Sequence, residues 1–246
     1  MKVTCPPHLP TLLTMTNRHH LASLVILAIG FAVQARADEA SPNTLTKDEA
    51  KDGFKLLFDG KSLDGWRVYG KKDATGWEVK DGAIYIGKGA GDLMTAEKYA
   101  NFELLIDFKF EAGNNSGLIY RVLETKEPSY MSGPEMQVMH HKSGDKLGKN
   151  SGGSLYDLYA PSENPFKGAD VWTTYKLVCD GNKIQHYVNG VKVVDVEIGS
   201  ADWNERMAKS KWSKAKNFAT QTTGHIALQD HGSKVSFRNI KIRVLP

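Results

Sequence analysis

Three dipeptides constrain this chain more than any other feature: Asp81-Gly82, Asp180-Gly181 and Asn189-Gly190, each set between runs of β-type residues. Two-residue hairpin loops need positive φ, which glycine and asparagine adopt at little cost, and their twist matches that of the strands they join. The last two predict a three-strand meander through Tyr175–Cys179, Lys183–Val188 and Lys192–Glu197. Other short runs repeat the pattern, among them Phe102–Phe110, Gly117–Val122, Glu135–Met139, Leu155–Tyr159, His225–Gln229 and Lys234–Val244. Only Asp202–Lys211 reads clearly as a helix, with Asp202 as its cap and Glu205 three residues on. Many short antiparallel strands with one short helical insert predict an all-β fold, a two-sheet antiparallel β-sandwich of jelly-roll type.

The first residues do not belong to that fold. Leu21–Val33 is an uninterrupted apolar run after Arg18, His19 and His20, and Ala35-Arg36-Ala37 has the small-x-small form of a signal-peptidase site. The run is shorter than the roughly 20 residues that span a bilayer. Residues 1–37 therefore read as a cleaved export signal, with Met15 as an alternative start, and the expected location is the periplasm or the medium. Polar residues 38–52 read as a linker, and 53–246 as one sandwich domain. No stable membrane insertion is expected after cleavage. Removing 37 of the 246 residues leaves 209, enough for one well-cored β domain. Loss of Lys2, Arg18 and Arg36 takes the formal charge from +4 to +1, which argues against nucleic acid as a partner. Lys209–Lys216 reads as a solvated, basic helix end, with a phosphate or polymer contact as the second option. Cys179 is then the sole cysteine, so no internal disulfide forms, and it reads as a small buried apolar residue.

Function enters through strand alternation. In Gly133–His141, Met136 and Val138 alternate with Glu135 and Gln137; in Gly224–His231, Ile226 and Leu228 alternate with Ala227 and Gln229. Successive strand side chains face opposite ways, so each segment can fill a core and still present hydrogen-bonding and titratable groups on its other face. Such a face suits a sugar. Retaining glycosidases on sandwiches of this kind place paired carboxylates on one strand, about 5 Å apart. Here the matching stretch offers Glu135, then the amide Gln137, then His140, so that pair cannot be built.

Six segments recur in order in one known family: Gly53–Trp66, Asn114–Arg121, Gly133–Val138, Gly153–Pro161, His186–Gly190 and Gly224–Ile242. The chain resembles the 3-keto-disaccharide hydrolases, long known as a domain of unknown function, over essentially all of 53–246. The resemblance implies a concanavalin A-like sandwich acting outside the cytoplasm on glycosides whose glucose C3 hydroxyl is oxidised to a ketone. One departure is His140-His141, where family members often carry an Asp-Asn or similar pair.

A 3-keto sugar needs no nucleophilic pair. The ketone acidifies the C2 hydrogen, so a base can remove it, the C1 substituent leaves by elimination, and water adds back. That requires a base, a cation or dipole facing the enolate oxygen, and an acid for the leaving oxygen. Glu135 and His231 are the expected proton-transfer residues, since an imidazole titrates in the physiological range and burial can raise a carboxyl. Arg121 is the expected cation, its planar guanidinium matched to an oxyanion. Gln137, Gln229, Asn115, Tyr156, Asp157 and His141 are the expected substrate-binding residues. A turn role for Asn115, closure of the Asp230–Ser233 turn for His231, and structural ion pairs for Arg121 and Glu135 stand beside these readings. Trp66, Trp77 and Trp172 read as core before sugar platforms, and Arg238 as a sheet brace. A divalent metal held by His140, His141, Glu135 and His231 remains open, although adjacent strand histidines face opposite ways and no zinc spacing is present. Two other functions compete with an enzyme: a non-catalytic carbohydrate-binding module and a structural or adhesion module.

Overall fold

The computed structural model describes residues 41–86 and 89–246, so the apolar run and its cleavage motif lie outside the described residues. Among the described residues, thirteen strands, two α-helices and one 3-10 turn (Ser129–Met131) appear in chain order. They are α1 (Lys47–Lys51), β1 (Lys55–Leu56), β2 (Trp66–Val68), β3 (Trp77–Lys80), β4 (Ala83–Ile86) and β5 (Leu93–Thr95). Then come β6 (Phe102–Ala112), β7 (Ser116–Val122), β8 (Glu135–Val138), β9 (Thr173–Asp180) and β10 (Lys183–Val188). The last are β11 (Val191–Glu197), α2 (Ala201–Lys209), β12 (His225–Leu228) and β13 (Lys234–Val244). One sheet runs β11-β10-β9-β6-β13-β4-β3, with β1 also on β13; the other runs β2-β5-β12-β7-β8. All pairings are antiparallel.

The expected sandwich is present, and the turn dipeptides close three hairpins of its eight-stranded sheet. Asp81-Gly82 and Asn189-Gly190 both have positive φ and close two-residue hairpins. At the third site the register slides by one: Asp180 pairs with Lys183, so Gly181-Asn182 forms the loop with Gly181 in the first position. The core lies between the sheets. Phe102, Leu104, Ile106, Phe108 and Phe110 of β6 face Leu118 and Tyr120 of β7, Met136 and Val138 of β8, and Ile226 and Leu228 of β12. Burying each large apolar side chain contributes about 1.5–3 kcal/mol, and among the described residues this burial acts without a disulfide, since Cys179 is free. Trp66 and Trp77 belong to this core, their indole N–H groups donating to the carbonyls of Leu57 and Gly91. Buried Cys179 has its thiol pushed up to about 12 by burial. No helix among the described residues is long and apolar enough to cross a membrane.

Three segments depart from the sequence reading. The supposed linker carries α1, whose capping box joins Thr46 and Glu49. It is fastened to the sandwich by Asn43 with Asn239 and by Glu49 with Lys241. Leu155–Tyr159 is no strand: it touches β8 at one bridge and curls back, with Asp157 at φ +61°. The last helix is capped by Ser200 rather than Asp202, which pairs instead with Arg206 one turn on.

Arg121 is the consequential departure. Partners on β12 step from Ile119↔Ala227 to Val122↔His225, which leaves one extra residue in β7, a bulge. Arg121 sits there at φ +54° and is only 2 % exposed. Its guanidinium donates to the carbonyls of Ala100 (3.2 Å) and Gly181 (2.7 Å) and so ties strand ends together. The bulge requires a bare neighbour. A Cβ on Gly224 would lie 2.3 Å from the Arg121 carbonyl carbon and 2.7 Å from its Cα. Gly224→Ala is therefore expected to lower the unfolding free energy by at least about 2 kcal/mol in urea titrations. Unchanged stability would show that the bulge yields freely.

Candidate active site

The site lies on the outer face of the five-stranded sheet, and alternation puts it there. With Met136 and Val138 in the core, Glu135 and Gln137 emerge outward from β8; with Leu228 in the core, Gln229 emerges beside β12. Gly117 of β7 pairs with Gln137, and the Gly117 backbone carbonyl accepts from the Gln229 backbone N–H. Glu135 lies over the bare Gly117, where a Cβ would meet its Oε1 at 2.6 Å. The backbone of β8 is fixed from the core: Tyr175 Oη donates to the Gln137 carbonyl at 2.8 Å. Loops supply the rest of the wall, and a pocket of about 240 Å³ is lined by Asn115, Tyr130, Glu135, Gln137, Tyr156, Lys211, Trp212, Gln229 and His231. Pockets for drug-sized ligands run to about 300–1,000 Å³, so this one suits a single sugar ring with the remainder outside.

Glu135 is 6 % exposed. Burial pushes its carboxyl up to about 8; Lys211 pulls the other way and Asp92 adds to the rise. It is therefore mainly protonated at neutral pH. No ion pair to it is present among the described residues. From Glu135 a line of contacts crosses the floor. The Gln137 amide lies 2.8 Å from Glu135 Oε1 and 3.3 Å from the Asn115 amide, which in turn lies 3.1 Å from His231 Nδ1. His231 itself is exposed at the rim. Gln229 Oε1 is buried with no partner. Unpaired buried acceptors are uncommon, and one in a pocket wall is suited to a ligand hydroxyl.

Lys211 is the cation here. Its ammonium lies over the rings of Tyr156 (4.1 Å) and Trp212 (4.3 Å), and burial lowers its pKa while Glu135 and Asp157 oppose that. Trp212 stacks on Phe218 at 4.6 Å and 8°, and Tyr130, 38 % exposed, tilts against Trp212 at 6.2 Å. None of Lys211, Trp212 and Tyr130 was expected from the sequence as a site residue. The basic run around Lys211 reads as a solvated helix end, and only the fold brings it over β8.

Of the residues expected from the sequence, Glu135, His231, Gln137, Gln229, Asn115 and Tyr156 come together in this pocket. Three do not. Arg121 is committed to backbone carbonyls inside the bulge. Asp157 pairs with Lys149 at 3.0 Å and accepts from the Lys211 N–H at 2.9 Å, which places the lysine rather than a ligand. His141 accepts from the Gly152 N–H at 2.7 Å and lies near Asp145, held in its own loop. His140 packs among Phe108, Phe110 and Phe166, so it cannot join Glu135 and His231 around an ion. Among the described residues no three His, Cys, Asp or Glu side chains are placed to hold a metal. Trp172 lies on the opposite sheet beneath Arg238 (4.0 Å), and Arg238 reaches Asp107 at 3.6 Å, a brace as expected.

Comparison with known proteins agrees with the architecture. A sequence profile of 3-keto-alpha-glucoside-1,2-lyase-like domains matches residues 53–243. A Bacteroides thetaiotaomicron protein named 3-keto-disaccharide hydrolase is 32% identical, over 89% of this chain and 87% of that protein. A Parabacteroides distasonis crystal structure, provisionally described as a glycosyl hydrolase, superposes with a TM-score of 0.77 at 32% identity, covering 84% of this chain and 100% of that one. A second from the same organism, also provisionally described as a glycosyl hydrolase, gives 0.62 at 28% identity, over 78% and 99%.

The buried carboxyl has a thermodynamic signature. An acid whose folded pKa lies above its unfolded value near 4.5 binds its proton more tightly when folded. Folding stability then falls as pH rises from about 4.5 to about 8, and levels off above. Glu135→Gln cannot ionise, so its stability relative to the parent should rise between about pH 5 and pH 8.5, by on the order of 2 kcal/mol or more. Parallel pH profiles in denaturant titrations would contradict this.

Proposed function

The chain belongs to the 3-keto-alpha-glucoside-1,2-lyase-like family, and on that premise we propose that it is an exported enzyme cleaving 3-keto-glycosides by elimination and hydration. One observation carries the reading: a carboxyl that keeps its proton at neutral pH and an imidazole line the same sugar-sized pocket. An acid and a base in different states are what the reaction needs.

With a 3-keto-glucoside in the pocket, His231 removes the C2 proton, and the C2–H electron pair passes into the C3 carbonyl as an enolate. The Lys211 ammonium faces that oxygen, and a cation positioned where charge develops lowers the barrier. The enolate then reforms the ketone, a C1=C2 double bond forms, and the C1–O bond breaks. Glu135 gives its proton to the departing oxygen. For net hydrolysis, water adds at C1 and loses a proton to Glu135, while the imidazolium of His231 returns a proton to C2. Both groups end as they began. Gln229 holds a sugar hydroxyl, its orphan Oε1 accepting, and the exposed ring of Tyr130 offers a flat face beyond the sugar. The apolar run and cleavage motif at the start of the chain support action in the periplasm or the medium.

The test is turnover of a 3-keto-glucoside by purified protein in deuterated water. Deuterium at C2 of the product is expected; product formed without it would favour direct displacement. Binding without turnover would mark a non-catalytic carbohydrate-binding module instead. Glu135→Gln should cost about 10²–10⁴-fold in kcat/KM, and Lys211→Met about 10²–10³-fold in kcat. Because Glu135 acts protonated, kcat/KM should fall as pH rises through about 8, and a flat alkaline limb would remove it as the acid. Among the described residues no three His, Cys, Asp or Glu side chains converge, and the proposed steps use none, so a chelator should leave the rate unchanged; a rate lost to chelator and restored by a divalent ion would require a different account.

A further inference from the structure

His231 has two ring nitrogens, and a base needs one of them bare and turned to the substrate. The amides beneath it decide which. Oxygen and nitrogen of an amide are told apart by what they face. One terminal atom of Gln137 lies 2.9 Å from the Ser116 carbonyl oxygen and 2.8 Å from Glu135 Oε1. A backbone carbonyl only accepts, so that atom is the nitrogen, and both its hydrogens are used. The Gln137 oxygen therefore faces Asn115 at 3.3 Å. An oxygen there needs a donor, so Asn115 turns its nitrogen to Gln137. The Asn115 oxygen is then what stands 3.1 Å from His231 Nδ1, and it can only accept.

We infer that Asn115 and Gln137 form an oriented amide chain, anchored on the Ser116 carbonyl, that keeps the proton of neutral His231 on Nδ1 and leaves Nε2 as the base. They are positioning residues: neither takes nor gives a proton. The chain also has a direction. Its carbonyl end meets the imidazole and its N–H end meets the Glu135 carboxyl. Once His231 has gained a proton and Glu135 has lost one, each end faces the charge that it stabilises, with no amide rotation. Gln137 uses Oε1 of Glu135, which leaves Oε2 to carry the transferable proton. The catalytic half of this inference rests on the proposed reaction, and the tautomer does not.

The experiment is a long-range proton–nitrogen spectrum of the full chain labelled with ¹⁵N-histidine, at a pH where His231 is neutral, with the His231→Gln spectrum identifying its signals. A protonated Nδ1 and a bare Nε2 are expected; a protonated Nε2 overturns the inference, whether or not the protein turns over substrate. Asn115→Leu should give a mixture of tautomers and lower kcat on a 3-keto-glucoside about 10-fold or more with KM little changed. Asn115→Asp still accepts from Nδ1–H and should restore the single tautomer, which a purely structural role for Asn115 would not require. A protein with Nδ1–H that leaves the 3-keto-glucoside untouched supports the amide chain and removes the proposed reaction alone.

Discussion

The site depends on one carboxyl group being taken out of water without a direct cationic partner. Glu135 lies flat over Gly117 because β7 carries no side chain there, and any Cβ would strike it. Removing an ionised carboxylate from water is costly, so the group holds its proton instead. The nearest help comes from Lys211, which acts through space and is itself half committed to the faces of Tyr156 and Trp212. A tighter ion pair would have kept Glu135 ionised and unable to donate. The fold therefore withholds a salt bridge where the proposed chemistry needs an acid.

The two sheets divide the work. The outer face of the eight-stranded sheet engages its cations with its own residues: Arg238 pairs with Asp107 and covers Trp172, and Lys176 lies over Tyr187 at 4.1 Å. The outer face of the five-stranded sheet keeps unpaired capacity, shown by the orphan oxygen of Gln229. Between them, the core contributes rigidity where the site needs it. Tyr175 holds the carbonyl of Gln137, and buried His186, kept neutral by burial with its pKa lowered to about 4, contacts Tyr120 Oη and the Gly153 carbonyl. Site strand, site loop and opposite sheet are thus cross-linked by uncharged groups.

Much of this was legible in the sequence because strand period is local. Alternation around Met136 and Leu228 puts Glu135, Gln137 and Gln229 each on the side of its strand away from the core, and the turn dipeptides mark the strands of the opposite sheet. What local pattern cannot express was missed. In a regular strand Arg121 would face away from its core neighbour Tyr120, but one bulge residue turns it inward, and a bulge leaves only a nearby glycine as its trace. Asp157 and His141 lay on segments that curl rather than extend. Lys211 and Trp212 reach the pocket across more than seventy residues of sequence from Glu135, so charge and ring alone could not place them. The capping box of Thr46 and Glu49 is a readable helix signal inside a segment whose polar composition otherwise reads as linker.

The most direct measurement is a ¹³C titration of the Glu135 side-chain carboxyl in the intact protein, assigned by loss of its signal in Glu135→Gln. A midpoint near 8 is the predicted result. A midpoint in the ordinary carboxylate range, about 4 to 5, would mean that Glu135 is ionised at neutral pH and cannot be the acid on which this account is built.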